Sequence, residues 1–469
     1  MTQIDENSEM PGAILEFEDI EFNQSEQDSE VIVLKFMKTY YSNISKTELE
    51  KIAKFDISKD NKKITFYDVN ENVAERKFNL ILSRALDALH WKINGQEKEI
   101  KYIHRNSGIP LFGCIGFGIV DRGTSMIELR PNTGCNLNCI FCSVDEGISS
   151  RKTIDYVVEP DYLAEELNNL IEFKKNQRIQ NQTKSSEPIK FSIFINPAGE
   201  PLLYPKLKEL IKKVSLIENV ETISIMTNAA LLTSSIADEL IESGLTQFNI
   251  SLSSLDDKKS KMIAGTKLIT ETTLNTETKL ITDSELITET TTYDTGKIKE
   301  VISSIKTKHP EIKIILAPVL LNGLNQEDIE QIILFAKETK CEVGIQNYLK
   351  YKQGRTPKKI KQVEFSDFFD LLKKWESKYD IDLIKNYKLV KTAQFEPVVK
   401  KGDIIKAEIK CLGRKPGELI GVLEGRSSRS ITILTESISG YASGEMKKSG
   451  YVKIKIIRAK DGLYSGIKL

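Results

Sequence analysis

The sequence predicts an α/β protein: a partial (β/α)6 barrel of the TIM type, with a small N-terminal α+β region before it and a small β-barrel after it. Two observations carry this. Beyond Gly118, apolar strand candidates at 124–130, 190–196, 221–227, 246–252, 312–319 and 341–346 alternate with helical patterns. Six strand–helix units of this kind imply a parallel sheet that curls toward a barrel. Beyond Val398 the rhythm changes to short alternating strands such as 404–409 and 451–457, separated by Gly/Pro turns, which reads as a small β-barrel. A chain of 469 residues is also too long for one ordinary core.

The helical patterns are amphipathic. Leu163, Leu167, Leu170 and Ile171 form one apolar stripe, and Ile329, Ile332, Ile333 and Ala336 form another. Thr233 or Ser234 reads as an N-cap, and Gly244 as the stop, of the helix between the third and fourth strands. Two stretches break the rhythm. Residues 178–188 are polar and loop-like, and 266–296 are low in complexity, with Thr266 to Thr273 returning in altered form as Ser284 to Thr291. The second reads as a surface insertion, because stacked repeats need at least three units.

Four regions follow: an acidic, disordered 1–30, an α+β region at 31–118, a core barrel at 119–390 and a β-barrel at 396–469. Strand patterns such as Lys63-Ile64-Thr65-Phe66-Tyr67 mark the second region. The first thirty residues hold ten acidic side chains and no Lys or Arg, a composition that favours disorder and excludes a secretory signal, which begins basic and then turns apolar. No apolar stretch reaches the roughly 18 residues of a membrane span. The expectation is a cytoplasmic protein without a membrane partner.

Charge is balanced at 67 basic and 67 acidic residues, which gives no global case for nucleic acid. Residues 396–469, however, hold 15 Lys/Arg against 8 Asp/Glu. That surplus can attract a polyanion or serve as an ordinary solvated surface. The chain has six cysteines, too few for a disulfide framework at this length. Cys114, Cys341 and Cys411 are scattered, whereas Cys135, Cys139 and Cys142 fall within eight residues.

That cluster, Cys135-Asn136-Leu137-Asn138-Cys139-Ile140-Phe141-Cys142, follows the first strand of the alternation. Three close thiolates suit a [4Fe-4S] cluster whose fourth iron has no protein ligand. The alternative is zinc, with a fourth ligand such as His104 closing a tetrahedral site, although such sites usually pair cysteines in two C-x2-C knuckles. Asn196-Pro197-Ala198-Gly199-Glu200-Pro201 ends the second strand. There a glycine allows close backbone approach, and Glu200 can accept charge-assisted hydrogen bonds from an ammonium group.

The cysteine loop, with an aromatic residue before its last Cys, and the Gly-Glu-Pro one β–α unit later resemble the radical SAM superfamily over roughly residues 120–350. The resemblance implies that Cys135, Cys139 and Cys142 hold the cluster. It implies too that the open iron chelates S-adenosylmethionine, which is reductively cleaved to methionine and a 5′-deoxyadenosyl radical. By the same resemblance Phe141 borders the adenine, and Gly199, Glu200 and Pro201 receive the methionyl amino group. Ser251 then contacts the ribose or carboxylate, with Asn228 in a similar role. Asn325 lies in the turn near the adenine, unless it is only the cap of the next helix. An external electron donor is implied.

The scattered cysteines provide no second cluster, and no cobalamin-type Asp-x-His-x-x-Gly motif is present. Segments 130–135, 143–147, 344–348 and Gly413-Arg414-Lys415-Pro416-Gly417-Glu418 are similar to archaeal radical SAM proteins that end in a TRAM-like β-barrel. TRAM modules bind RNA, so RNA is a candidate partner of 396–469, although only Tyr441, Tyr451 and Tyr464 are available there for stacking. Lys350, Lys352 and Arg355 are candidates for binding a substrate anion, the alternative being that they are simply solvated. Three readings stand: modification of RNA or an RNA-associated target, modification of a protein or small metabolite, and a non-catalytic iron–sulfur or zinc protein that binds RNA.

Overall fold

The computed structural model describes residues 12–93, 95–177, 188–266, 293–385, 389–424, 429–435 and 450–469. The polar stretch at 178–188 and the insertion at 266–296 thus lie outside the described residues except at their edges. The chain divides into two units, with the boundary after Tyr102.

The first unit is the α+β region. Antiparallel strands Ile20–Gln24, Val31–Phe36, Tyr40–Ser45, Leu89–Ile93 and Gln96–Ile103 follow one another in a sheet, and Lys63–Phe66 pairs with both Ala13–Glu16 and Phe55–Ile57. Phe78, on the helix Glu71–Asp87, packs its ring against Phe17, Phe22 and Phe66. The expectation of disorder through residue 30 is corrected here, because strands occupy Ala13–Glu16 and Ile20–Gln24. Ile20-Glu21-Phe22 alternates apolar and acidic residues, so Ile20 and Phe22 are buried while the acid faces outward. Net acidity hid that period-two signal. The expected boundary at 118 also shifts, since residues from Ile103 onward belong to the second unit.

The second unit holds the core and the C-terminal barrel. The core strands are β1 (Gly118–Asp121), β2 (Met126–Arg130), β3 (Phe191–Ile195), β4 (Val220–Thr227), β5 (Gln247–Ile250), β6 (Lys313–Leu316) and β7 (Glu342–Val343). They lie in the sheet in chain order. β2 to β7 are parallel and β1 is antiparallel to β2. This is the expected partial (β/α)6 barrel. Short parallel strands buried on both faces read as continuous apolar runs, as in Ile314-Ile315-Leu316.

The helices are α1 (Pro160–Asn176), α2 (Leu207–Ser215), α3 (Ser234–Glu242), α4 (Asp257–Ala264), α5 (Thr295–Lys308), α6 (Gln326–Thr339) and α7 (Phe365–Tyr379). Both sequence-predicted stripes, on α1 and α6, are fully buried. Thr233 caps α3 by accepting from the Ile236 N–H, and Gly244 ends it at φ +111°.

A buried ammonium ties α1 to β1 and to the segment after α7. The Lys174 ammonium, buried on α1, donates to the Asp121 carboxylate at 2.8 Å, the Thr392 hydroxyl at 2.7 Å and the Ala393 carbonyl at 2.8 Å. All three protons are used, so the charge is tolerated although burial lowers its pKa. Lys174→Ala should therefore destabilise the unit by about 3–5 kcal/mol, because it leaves a buried carboxylate unpaired. Denaturant melts of the two proteins check this; a loss under about 1 kcal/mol would contradict it.

The C-terminal strands are β8 (Ile404–Leu412), β9 (Glu418–Leu423), β10 (Ser430–Leu434), β11 (Tyr451–Lys460) and β12 (Leu463–Lys468). They close in the order β8-β9-β10-β12-β11 around Ala407, Leu419, Ile431, Ile433 and Ile454. Closure removes the exposed edges that such short strands would otherwise present. The barrel meets the core where the Ser430 N–H and hydroxyl both donate to the Phe112 carbonyl, at 2.7 and 3.1 Å.

Candidate iron–sulfur and cofactor site

The cysteine loop leaves the carboxyl end of β2, where sites of such barrels form. Thr133 and Gly134 pair in parallel with Ala198 and Gly199. The two chains come so close that a Cβ on Gly199 would stand 1.8 Å from the Gly134 carbonyl oxygen. Only glycine fits there. The approach sets Glu200 beside the start of the loop, with its N–H donating to Gly134 O at 2.8 Å.

Three further contacts fix the loop. The end of α4 receives it through Asn138 N to Ala264 O (2.9 Å) and Ile140 N to Ile263 O (3.0 Å). Gly147, at φ +99°, lets the returning chain pass the Leu137 carbonyl, which a Cβ would meet at 2.0 Å. From the opposite side Arg355 clamps the loop. Its guanidinium donates to Cys139 O at 2.9 Å, to the Asp145 carboxylate at 2.9 Å and to Glu146 O, and its N–H donates to Cys142 O at 2.9 Å. The sequence reading made Arg355 a candidate for a substrate anion. The structure corrects this, because each of its three guanidinium nitrogens donates to the loop. Lys350 and Lys352 remain exposed.

The three loop thiols are partly exposed, whereas Cys114, Cys341 and Cys411 are buried. Burial raises the Cys135 thiol well above its ordinary range and pushes Cys139 up to about 12, with Cys142 adding to both and Cys139 adding to Cys135. The thiols are therefore protonated on their own, and a cationic centre bound among them would deprotonate them. Leu137 N donates to Cys135 Sγ at 3.5 Å and Glu146 N to Cys142 Sγ at 3.3 Å. Among the described residues no group of three or more His, Cys, Asp or Glu is gathered around the position of one ion. Three thiols on one short loop suit a cubane, which places each thiolate on a different iron. The donor set fits the cluster.

Beside the loop is a small cavity lined by Cys139, Phe141, Asn228, Ser251, Ser253 and Tyr293, among others. Phe141, Asn228 and Ser251, all predicted from sequence, are thus brought together with a loop thiol. Phe141 packs against an apolar cluster of Ile263, Val319, Leu321 and Tyr348. The structure does not bring Gly199, Glu200, Pro201 or Asn325 into this lining, although Glu200 bonds to the Asn228 N–H and Asn325 to the Ser253 carbonyl. Asn325 is fully buried: its Oδ1 accepts from Leu321 N at 2.8 Å, and its Nδ2 donates to Ser253 O at 2.9 Å and Val319 O at 3.0 Å. It does not cap α6 with its side chain; it braces the cavity wall.

Glu200 is 1% exposed. Its Oε1 accepts from Leu202 N (3.1 Å) and the Thr227 hydroxyl (2.6 Å), and its Oε2 from Asn228 N (2.8 Å). Burial still pushes its carboxyl up to about 7, against the lowering effect of these donors. Asn228 in turn donates through Nδ2 to Asn136 Oδ1 at 2.9 Å, which links the end of β4 to the cysteine loop.

Sequence reasoning missed Ser260 and Ile263, which reach the cavity from α4, and Tyr293, which reaches it from the far edge of the 266–296 segment. It also missed the loop clamp by Arg355. The contact of α4 had a readable trace in Gly265, whose φ of +65° and closeness to Asn138 O only glycine allows without strain.

Fold and site together define an enzyme that carries an iron–sulfur cluster at the carboxyl end of a partial β/α barrel. The chain belongs to the radical SAM superfamily, whose family model matches residues 129–336, and whose members use a [4Fe-4S] cluster and S-adenosylmethionine. It is 30% identical over 421 residues to the uncharacterized protein MJ0103 of Methanocaldococcus jannaschii, a match covering 84% of this chain and 86% of that protein. It is 25% identical over 248 residues to GTP 3′,8-cyclase of Listeria monocytogenes, covering 52% of this chain and 60% of the relative. Among solved structures, Streptococcus suis SuiB bound to S-adenosylmethionine aligns over 78% of this chain and 71% of its own, with a TM-score of 0.36 and 14% identity. Enzymes of this superfamily draw their electron from an external donor. No helix among the described residues is long and apolar enough to cross a membrane.

Proposed function

We propose that Cys135, Cys139 and Cys142 hold a single [4Fe-4S] cluster with one iron free of protein ligands, and that the enzyme acts on RNA docked by its C-terminal barrel. The observation that carries the first part is the shared cavity, in which Cys139 and Phe141 of the loop face the polar strand ends Asn228 and Ser251. When bound, cluster and S-adenosylmethionine supply reductive carbon–sulfur cleavage and a 5′-deoxyadenosyl radical. The chain supplies position and water exclusion. Phe141, backed by Ile263 and Leu321, offers an apolar face to the adenine. Ser251 and Asn228 present hydrogen-bonding groups to the ribose and carboxylate. A carboxylate has about four lone-pair positions. Three of those on Glu200 are filled, which leaves one for the methionyl ammonium beside Gly199 and Pro201. Asn325 keeps the wall in shape. Free thiols and an oxygen-sensitive cluster suit the reducing cytoplasm.

The RNA limb rests on one face of the C-terminal barrel. Lys406 on β8 lies directly opposite Lys453 on β11, and Ile404 lies opposite Lys455. Like charges across a ladder are destabilising unless an anion joins them. Exposed Tyr451, Ile404 and Ile467 flank this basic stripe and offer a stacking ring and apolar contact. The test is binding of a labelled single-stranded RNA oligonucleotide to the full chain from 50 to 200 mM salt. Affinity should fall with a log–log slope of about −0.7 per phosphate contacted, and the double variant Lys406→Glu/Lys453→Glu should bind roughly tenfold or more weakly. Salt-independent binding, or equal binding by the variant, would leave a protein or small metabolite as the target.

A further inference from the structure

Behind the cysteine loop, opposite the cavity, lies a buried cluster of charges that the reaction does not use. Arg414, in the turn between β8 and β9, enters it from the C-terminal barrel. Its guanidinium forms a fork on the Glu146 carboxylate, with Nη2 to Oε2 at 2.9 Å and Nη1 to Oε1, and Nη2 also reaches the Asp155 carboxylate. Nε donates to Ile154 O at 3.1 Å, and the Arg414 carbonyl accepts from Thr153 N at 3.0 Å. Lys152 joins through the Glu146 carboxylate and Val144 O. Arg414, Glu146, Asp155 and Lys152 are all buried, and two positive charges meet two negative ones.

This cluster grips both ends of the cysteine loop. At the far end, the N–H of Glu146 is the donor to Cys142 Sγ at 3.3 Å, while its carbonyl is taken by Arg355. At the near end, Asp155 accepts from the Thr133 hydroxyl at 3.0 Å, and that oxygen accepts from Tyr156 N at 2.8 Å. Thr133 sits two residues before Cys135. One guanidinium from the barrel therefore spans the two ends of the metal-binding loop. A planar fork with five donors can do this; an ammonium, a single point charge, cannot.

We propose that Arg414 is a positioning residue for the cluster: by holding Glu146 and Asp155, the C-terminal barrel fixes the Cys142 and Cys135 ends of the loop. The barrel thereby sets how firmly the cluster is retained and how readily it is reduced. The fixed N–H on Cys142 Sγ stabilises the reduced, more electron-rich cluster, and hydrogen bonds to sulfur are one of the levers on cluster potential. This rests on the reading that the three cysteines bind a [4Fe-4S] cluster.

The test compares reconstituted wild type with Arg414→Lys, Glu146→Gln and Ser430→Ala. The last loosens the barrel–core seam at Phe112 without touching the cysteine loop. Iron release to a chelator, the midpoint potential by anaerobic redox titration and the thermal midpoint are read on each. Arg414→Lys and Glu146→Gln are expected to release iron roughly 10–100-fold faster, the usual effect of losing an outer-shell partner, with a lower midpoint potential. Ser430→Ala should match wild type in both. Wild-type release and potential in Arg414→Lys and Glu146→Gln would overturn the proposal, and so would equal changes in all three variants. A wild-type protein that takes up no iron would instead defeat the cluster reading itself.

Discussion

Cys139→Ala is expected to reduce iron uptake on anaerobic reconstitution to background and to remove the brown thiolate–iron absorbance, while leaving the fold in place. The thiol is one of three, and a [4Fe-4S] cluster with two protein ligands is not retained. The fold survives because the loop is held by main-chain contacts that the substitution does not touch. Cys139 O still accepts from Arg355 and from Cys142 N, and the neighbouring Asn138 and Ile140 still donate to the end of α4. The side chain is partly exposed and faces a cavity, so its loss should cost at most about 1 kcal/mol of stability. Iron quantitation and circular dichroism check both halves. Wild-type iron content in the variant would remove Cys139 from the ligand set.

Glu200→Ala is expected to weaken S-adenosylmethionine binding by roughly 10–100-fold, the factor corresponding to about 1.5–3 kcal/mol for a hydrogen bond to a charged group. Equilibrium dialysis against the cluster-loaded protein measures it, and unchanged affinity would remove Glu200 from the role. The wild type should also show a pH signature. Because burial pushes the carboxyl up to about 7, the group is largely protonated at pH 6 and ionised at pH 8. A cation binds only the ionised form, so affinity should rise about tenfold across that window, about one unit of protonation being at stake. Glu200→Gln should flatten the profile.

The alternation that defines the core was plain in the chain because parallel strands buried on both faces are continuous apolar runs, and all six predicted segments contain strands of the sheet. The candidate metal ligands stood out for another reason: three of the six cysteines fall within eight residues. Phe141, Asn228 and Ser251 were legible as strand-end or loop-end positions, and they meet at the cavity. What joins distant segments was not legible. Arg355 and Arg414 look in sequence like solvated bases among lysines, and only the fold reveals that one clamps the loop directly and the other holds Glu146 and Asp155 at its two ends. Asn325 shows the same limit in reverse: a polar residue in a site-like turn spends its side chain on three backbone groups. Strands at 13–24 were obscured because an acidic composition outweighs a short alternation when a whole segment is averaged.

The central claim is that the cysteine loop makes this chain an enzyme that cleaves S-adenosylmethionine by reduction. The most direct test reconstitutes the full chain with iron and sulfide without oxygen, adds S-adenosylmethionine and a chemical reductant, and quantifies 5′-deoxyadenosine and methionine. The wild type should form both, and Cys139→Ala neither. Iron-loaded, reduced wild type that forms no 5′-deoxyadenosine would contradict the claim.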